Sequence, residues 1–171
     1  MSRTLIYGNG GHGRDIAHNL RGEVVFYDDS NLRRTSDDPL DLSRYGCIFI
    51  GVNDPRTRRA IAERHGILGG AWFHPDASIG PAVIIDSHVH INAGATITRS
   101  SVGAFTTISP GANICGDVRF VETVTIGAGS TICQFCVIGD GATIAAGAVL
   151  PPHTNVPCNE TWGGVPAKRL S

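Results

Sequence analysis

The chain has 171 residues and a formal net charge of −1. That length suffices for one medium domain or two small ones, and the near-zero charge is atypical of surfaces that bind nucleic acid or anionic membranes. No apolar run approaches the roughly 18 residues that cross a bilayer, and Asp15 and His18 interrupt the apolar region that a signal peptide needs. We therefore expect a cytoplasmic protein that binds neither nucleic acid nor membrane, with its five cysteines as reduced thiols.

Residues 1–73 alternate between short apolar runs and stretches with helical spacing, a pattern typical of a small α/β domain with a parallel sheet. Asp54 stands where it can cap the second helix. The polar stretch Asn31–Ser43 is expected to be mostly loop. The expected elements are, in chain order, strand Thr4–Tyr7, helix Arg14–Leu20, strand Glu23–Tyr27, strand Cys47–Gly51 and helix Asp54–His65.

A glycine-rich loop, Gly8-Asn-Gly-Gly-His-Gly13, follows the first strand and precedes the first helix. Its glycines have the G-x-G-x-x-G spacing, in which backbone N–H groups and a helix N-terminus approach a phosphate. Asp28 and Asp29 follow the second strand, about where an acid that binds a ribose or a base would lie. A complete dinucleotide-binding domain needs more strands than this segment supplies, so we favour a nucleotide-linked sugar over NAD. A purely structural tight turn is the alternative.

From Ile79 to Leu150 the chain repeats itself every six residues, with an aliphatic or aromatic residue first and usually a small residue fifth. This period does not match an amphipathic helix. It predicts short strands joined by turns, three to a coil, in a parallel β-helix with positions one and five pointing inward. After Leu150 the repeat is expected to give way to an exit loop that folds back. The small fifth residues are Ala95, Ala112, Ser130, Cys136, Ala142 and Ala148.

Three features together resemble bacterial sugar O- and N-acetyltransferases of the sialic acid O-acetyltransferase type, which include the N-acetyltransferases of UDP-4-amino-sugars and of GDP-perosamine. The features are the glycine-rich loop, the segment Gly51–Arg59 after a strand, and a hexad domain that ends in Gly-Val-Pro-Ala-Lys-Arg. The resemblance covers essentially the whole chain. It implies a Rossmann-like sugar-nucleotide-binding domain over residues 1–73 and a left-handed β-helix over residues 74–171. It also implies a homotrimer with the co-substrate acetyl-CoA bound between adjacent β-helices.

The resemblance further implies binding residues for both ligands. Lys168 or Arg169 would meet the phosphates of coenzyme A, and solvated tail charge is the plain alternative for both. In the nucleotide site the implied residues are Gly8, Gly10, Gly11 and His12, with Asp28 at the base or ribose and Asn53 close by. Along the coenzyme channel they are Gly116, Ala128, Ala146, Gly164, Pro166 and Lys168.

The catalytic position departs from the family pattern, which places one histidine before an acidic residue and a second histidine before a Ser-x-Gly-Ala segment. That segment is here Ser109–Ala112, and Thr107 occupies the second histidine position. The preceding hexad, Ile97–Ser101, has five residues and carries Arg99 where the catalytic histidine is expected, or Thr98 if the gap is shifted. Neither can act as a general base near neutral pH, and arginine in particular stays protonated.

Two hypotheses follow from this departure. In the first, the base has moved to His90, which lies three hexads before Thr107 and should therefore sit directly beneath it on the same outward face, with His88 also outward. In the second, the chain is a non-catalytic sugar-nucleotide-binding trimer that regulates or scaffolds a partner enzyme. Solvated surface histidines, or packing at a trimer seam, are the plain alternatives for His88 and His90.

The leading hypothesis is an acetyl-CoA-dependent N- or O-acetyltransferase that acts on a nucleotide-linked or free sugar in glycan or polysaccharide biosynthesis. Its candidate catalytic residues are His90, Arg99 and Thr107. We expect no metal, because the Cys133-x-x-Cys136 spacing lacks further zinc ligands and Cys136 falls at an inward fifth position.

Overall fold

A computed structural model of the protein describes residues 3–27 and 41–171. An N-terminal lobe (residues 3–27 and 41–70) precedes a long β-helix, and the described helices are too short and too polar to cross a membrane. The lobe contains a short 3₁₀ turn at Leu42–Arg44. Its other elements are β1 (Thr4–Tyr7), α1 (Gly11–His18), β2 (Val24–Tyr27), β3 (Cys47–Ile50) and α2 (Pro55–His65).

The lobe agrees with the predicted α/β pattern. Its three strands pair in parallel in the order β2-β1-β3, and all four residues of β1 are buried. Asp54 caps α2 as predicted, because its carboxylate accepts the N–H of Thr57. The prediction of α1 was wrong by three residues at its start, since the helix begins at Gly11 inside the glycine-rich loop. Most of the predicted loop Asn31–Ser43 lies outside the described residues.

The β-helix consists of two-residue strands that stack in a left-handed β-helix-like arrangement. Its elements are β4 (Trp72–Phe73), β5 (Ser78–Ile79), β6 (Ile84–Ile85), β7 (His90–Ile91), β8 (Thr96–Ile97), β9 (Ser101–Val102), β10 (Thr107–Ile108), β11 (Asn113–Ile114), β12 (Arg119–Phe120), β13 (Thr125–Ile126), β14 (Thr131–Ile132), β15 (Val137–Ile138), β16 (Thr143–Ile144), β17 (Val149–Leu150), β18 (Asn155–Val156), β19 (Thr161–Gly164) and β20 (Ala167–Arg169).

Every third strand pairs with its predecessor, so the coil has three faces. Face 1 contains β4, β7, β10, β13, β16, β19 and β20; face 2 contains β5, β8, β11, β14 and β17; face 3 contains β6, β9, β12, β15 and β18. The predicted inward positions are confirmed, because the first residues of the hexads form one continuous apolar core with the small fifth residues. All six fifth-position residues named from the sequence are fully buried.

The five-residue hexad Ile97–Ser101 does not interrupt the coil. Strands β8 and β9 keep their pairing with the coils above and below, so the missing residue is removed from the turn alone. Ser100 takes the inward small position, and its hydroxyl lies within hydrogen-bond distance of the carbonyl oxygens of Thr98 (2.8 Å) and Cys115 (3.0 Å). Arg99 takes the corner with a φ of 33°.

The predicted exit loop after Leu150 was wrong, because the coil continues for two more strands. Asn155–Val156 pairs with β15, and Thr161–Gly164 pairs with β16 before folding back as a hairpin with β20. The prolines that suggested a loop lie in turns of the coil, where a missing N–H costs no ladder hydrogen bond. Val156 is fully buried as the hexad pattern requires.

From β5 onward each corner of the coil has a residue with left-handed backbone, and the three edges that these corners form differ in side chains. The edge between faces 1 and 2, the glycine edge, consists of Gly94, Gly111, Gly129 and Gly147. The edge between faces 2 and 3, the outer edge, consists of Ala82, Arg99, Asp117, Phe135 and His153. The edge between faces 3 and 1, the docking edge, consists of His88, Phe105, Thr123, Gly141 and Asn159.

Candidate functional site

The N-terminal lobe sits on face 1 and the docking edge, where α2 supplies the main contacts. Arg58 is fully buried. Its guanidinium donates to the carbonyl oxygens of His88 (3.0 Å), Phe105 (2.5 Å) and Thr106 (3.2 Å) on the coil. It also donates to the carbonyls of Val52 and Asn53 in the loop that precedes α2. One side chain therefore ties this loop to the β-helix.

No carboxylate contacts the Arg58 guanidinium among the described residues. Burial lowers the pKa of Arg58 to about 10, and Asp54 opposes that shift, so the side chain remains a cation at neutral pH. Carbonyl dipoles stabilise it instead of a counterion.

Thr107 lies in the same contact. Its hydroxyl accepts from Arg58 at 3.0 Å and donates to the carbonyl of Asn53 at 2.8 Å, and the residue is fully buried. The Asn53 backbone is thus held both by Arg58 and by Thr107. The Thr107 hydroxyl therefore both donates and accepts a hydrogen bond within the chain.

The predicted register of His90 is confirmed, since His90 pairs directly with Thr107 on face 1. His90 is 1% exposed, and its Nδ1 lies 2.7 Å from Nε2 of His12 on α1 and 3.4 Å from Nη1 of Arg58. Trp72, the neighbour of His90 on the preceding coil, contacts both imidazole rings edge-on. His12 and His90 were predicted for different sites, and the fold brings them together.

The interpretation of His88 and His90 as solvated surface residues was wrong. Both side chains point away from the coil, but the lobe covers them. The His88 ring stacks on Phe105 with centroids 4.7 Å apart, and its Nε2 lies 3.1 Å from the carbonyl of Ile67. Burial lowers the pKa of His88 and, more strongly, that of His90, with Arg58 adding to both shifts.

The glycine-rich loop lies at the carboxyl end of the sheet, beside the Gly51–Asp54 loop. Gly8 needs its positive φ of 104°, and a Cβ on Gly13 would lie 2.2 Å from the carbonyl oxygen of Gly8. Gly10 and Gly11 have open space where a Cβ would be. The packing of the lobe thus requires glycine at positions 8 and 13, and it leaves open space in front of Gly10 and Gly11. Asp28 falls outside the described residues.

Arg99 lies apart from His90 and Thr107, on the outer edge. It forms a two-pronged ion pair with Asp117, with N–O distances of 2.9 and 2.5 Å. The guanidinium is exposed, and Asp117 raises its pKa further. Of the three candidate catalytic residues, the structure therefore brings two together and places the third at a different corner.

The residues predicted for the coenzyme also divide between corners. Ala128 and Ala146 lie one above the other on the glycine edge, where the N–H of Gly147 donates to the Ala128 carbonyl. Gly116 is on the outer edge, where a Cβ would lie 3.4 Å from the Arg99 side chain. The residues Gly164, Pro166 and Lys168 form the terminal hairpin at the top of face 1.

All five cysteines are free thiols, and Cys136 is fully buried in the coil core. Within residues 3–27 and 41–171, no group of three or more His, Cys, Asp or Glu side chains could hold a metal ion.

Sequence reasoning missed Arg58 and Trp72. Arg58 shares a helical face with Pro55 and Ala62, which are both buried, so the three-to-four-residue spacing did mark it as inward. A charged residue at such a position is normally paired with an opposite charge, and no local pattern indicates that carbonyl groups of the β-helix replace that counterion.

Comparison with known proteins adds to this geometry. The bacterial transferase hexapeptide family (six repeats) matches residues 122–152. Over these residues the chain is similar to the hexapeptide repeat of bacterial transferases. The chain is also 29% identical over 171 residues to the mitochondrial gamma carbonic anhydrase 1 of Arabidopsis thaliana. That match covers 75% of this chain and 61% of the relative.

Solved structures of two proteins resemble this chain over nearly its whole length. The acetyltransferase domain of PglB from Neisseria gonorrhoeae is 29% identical, with 99% of this chain and 100% of that domain covered and a TM-score of 0.78. The same domain in complex with acetyl coenzyme A gives a TM-score of 0.75. Perosamine N-acetyltransferase from Caulobacter crescentus, in complex with CoA and GDP-perosamine, is 24% identical with coverages of 98% and 96% and a TM-score of 0.78, a likeness of fold alone.

Proposed function

We propose that this chain is an acetyl-CoA-dependent acetyltransferase that acts on a nucleotide-linked or free sugar in glycan or polysaccharide assembly. The observation that carries the proposal is the full-length likeness to the PglB acetyltransferase domain, which also exists as an acetyl coenzyme A complex. The nucleophile is the amine or hydroxyl of the sugar, and it attacks the thioester directly without an acyl-enzyme.

The glycine edge supports a place for acetyl-CoA. Gly111, Gly129 and Gly147 have no atom within 4 Å of where a Cβ would stand. Nine other corner residues adopt the same left-handed backbone with a side chain, so the conformation alone does not require glycine here. A strip without side chains lets an extended pantetheine chain lie against the backbone of Ala128 and Ala146. Lys168, at the top of the coil, would then meet the coenzyme phosphates.

The lobe supports a place for the sugar nucleotide. Open space in front of Gly10 and Gly11 lies at the N-terminus of α1, where free N–H groups and the helix dipole favour a diphosphate. Asn53, with its backbone fixed by Arg58 and Thr107, leaves its side chain for the ligand. We assign Asp28 to the ribose or base from its position after β2.

A homotrimer completes the site in this proposal. The glycine edge and the outer edge are different corners of one chain, so Gly116 and Arg99 would join Ala128 and Ala146 only across two copies. The outer edge and the adjoining face 3 expose apolar side chains that a second copy would cover, since Ile84, Phe135 and Val137 are 72%, 49% and 39% exposed. Light scattering should report three chains, and Phe135→Asp should yield monomers.

The catalytic test is thiol release from acetyl-CoA with a panel of UDP- and GDP-amino-sugars and sialic acid as acceptors. Reactions without acceptor serve as the control, since they measure plain thioester hydrolysis. We expect release that depends on one acceptor class and falls in His90→Ala. If no acceptor supports release and calorimetry detects no acetyl-CoA binding, the enzyme proposal is wrong. A chain that still bound a sugar nucleotide would then be the non-catalytic trimer that regulates or scaffolds a partner.

A further inference from the structure

Three side chains form a line from the buried interior to the glycine-rich loop. Arg58 approaches Nδ1 of His90 at 3.4 Å, and the same nitrogen lies 2.7 Å from Nε2 of His12. Burial decreases outward along the line, since Arg58 and His90 are 0% and 1% exposed and His12 is half-buried. His12 is thus the member that a ligand in front of the loop can reach.

The charge of Arg58 indicates where the imidazole protons lie. Nη1 of Arg58 donates to the carbonyls of Val52 and Asn53, and its positive charge 3.4 Å from Nδ1 of His90 favours a lone pair over an N–H at that nitrogen. His12 then donates to it through Nε2–H, and its own Nδ1 carries the lone pair. Within the described residues, Nδ1 of His12 has no hydrogen-bond partner and is not among the buried unsatisfied atoms.

We propose that His12 Nδ1 is the proton acceptor of the transfer reaction, with His90 and Arg58 as positioning residues that hold its tautomer. This inference rests on the proposed acetyl transfer. The sugar amine or hydroxyl attacks the thioester carbonyl carbon of acetyl-CoA, forming the new C–N or C–O bond. The C–S bond breaks and its electron pair leaves with the coenzyme A sulfur. The proton lost by the nucleophile goes to Nδ1 of His12 and then to the thiolate.

The charges around His12 keep its ring neutral. Burial and Arg58 together lower the pKa of His12 to about 4, and Asp15 on α1 opposes the shift. His90 is neutral as well, so at neutral pH neither ring carries a positive charge and the lone pair on Nδ1 of His12 is available. A diphosphate at Gly10 and Gly11 would bring negative charge beside the ring and favour its protonated form during transfer. Arg99 on the outer edge, by contrast, stays protonated and paired to Asp117.

The tautomers can be measured without any substrate. Long-range ¹H–¹⁵N spectra of the full chain at pH 7 should show both His12 and His90 protonated on Nε2. In the His90→Leu variant, which removes the acceptor, His12 should become a mixture of tautomers. A His12 protonated on Nδ1 in the wild type would overturn the proposal.

The catalytic test uses a substitution that keeps one ring nitrogen and removes the other. His12→Gln places an amide near the former Nε2, where it can still donate to His90, but it offers no acceptor at the Nδ1 position. We expect kcat to fall about 100-fold or more, the usual contribution of a general base, with the acceptor KM changed far less. His90→Asn, which keeps an acceptor near Nδ1, should retain more activity than His90→Leu. His18→Gln, an exposed histidine on the same helix, is the matched control.

Different failures have different meanings. An active wild type whose kcat survives His12→Gln would overturn the role of His12 and leave the acetyltransferase proposal intact. A wild type inactive with every acceptor would overturn both. Equal losses in kcat and in sugar-nucleotide affinity for His12→Gln would make His12 a binding residue and also overturn its role as acceptor.

Discussion

The glycine edge and the docking edge have the same backbone and opposite surfaces. At both edges the fourth residue of each hexad has a φ between 52° and 68°. The docking edge has a side chain at that position in four of its five corners, including His88 and Phe105, whereas the glycine edge has no side chain there. The corners share the same left-handed backbone, so the backbone does not explain why their residues differ. The residue type at a corner therefore indicates what lies outside that corner.

The outer edge extends this comparison. Its corner residues include an exposed ion pair between Arg99 and Asp117, and a stack of Phe135 on His153 with ring centroids 4.9 Å apart. These side chains contact each other, and the N-terminal lobe does not cover them. A left-handed corner therefore tolerates charged, aromatic and β-branched residues in this protein, so four glycines in a row on one edge call for a different explanation.

The largest expected effect comes from breaking the docking edge. Arg58→Met removes every donor to the carbonyls of His88, Phe105 and Thr106, so the free energy of unfolding should fall by about 3 kcal/mol or more. Urea denaturation followed by tryptophan fluorescence measures this through Trp72. Arg59→Met is the matched control on the next residue of α2, because its exposed ion pairs should contribute less than about 1 kcal/mol. Equal unfolding midpoints for Arg58→Met and wild type would contradict the interpretation.

The docking of the lobe should also weaken in acid. Since the pKa of His12 is lowered from 6.5 to about 4 in the folded chain, the unfolded chain takes up a proton first as the pH falls. Stability should therefore be full above about pH 6.5 and decline as the pH is lowered toward 4, with His88 and His90 adding in the same direction. Denaturant titrations at several pH values test this. His12→Gln should have a shallower decline, and an identical slope would refute the assignment to His12.

A smaller effect is expected where a side chain is added to the glycine edge. Gly129→Asn places a residue that tolerates left-handed backbone in open space, so the fold should survive. If pantetheine lies along this edge, the Kd for acetyl-CoA should rise about tenfold, which corresponds to 1.4 kcal/mol. Calorimetric titration measures the Kd. Gly66→Asn makes the matched addition at the left-handed end of α2, where a Cβ also has open space, and equal affinities for the two variants would argue against the proposed channel.

The smallest effect concerns an inward position beside the docking edge. Thr106 occupies a fifth hexad position, and its hydroxyl is the one fully buried side-chain polar atom without a partner in the chain as described. Thr106→Val keeps the shape and removes the unsatisfied group, so stability should rise by about 1 kcal/mol. Ser130→Ala is the counterpart, because Ser130 does donate to Gly127 and should lose stability. Thermal unfolding of both variants checks the opposite signs.

Much of the fold could be predicted because the hexad pattern is local. The aliphatic first positions and small fifth positions mark the core directly, and counting three hexads per coil placed His90 beneath Thr107. The same local pattern failed after Leu150, where prolines suggested an end to the coil. Prolines are compatible with the turns of a β-helix, so they did not exclude strands in the segments between those turns.

The site was less predictable because its residues meet across the chain. His12 and His90 are 78 positions apart, and their 2.7 Å contact exists only once the lobe docks on face 1. The burial of His88 has the same origin. Thr107 could be aligned with a histidine position, but its two hydrogen bonds to Arg58 and Asn53 depend on where α2 lies.

The sequence by itself determined the coil, the inward residues and the glycine-rich loop after β1, since each depends on neighbours a few positions away or on a strict period. Only the tertiary structure decided which edge the lobe covers, which histidines lose solvent, and how a cation without a counterion is accommodated. Those outcomes depend on desolvation and on carbonyl groups from distant segments. Arg58 illustrates the difference, because its helical spacing marked it as inward while its hydrogen-bond partners come from the coil.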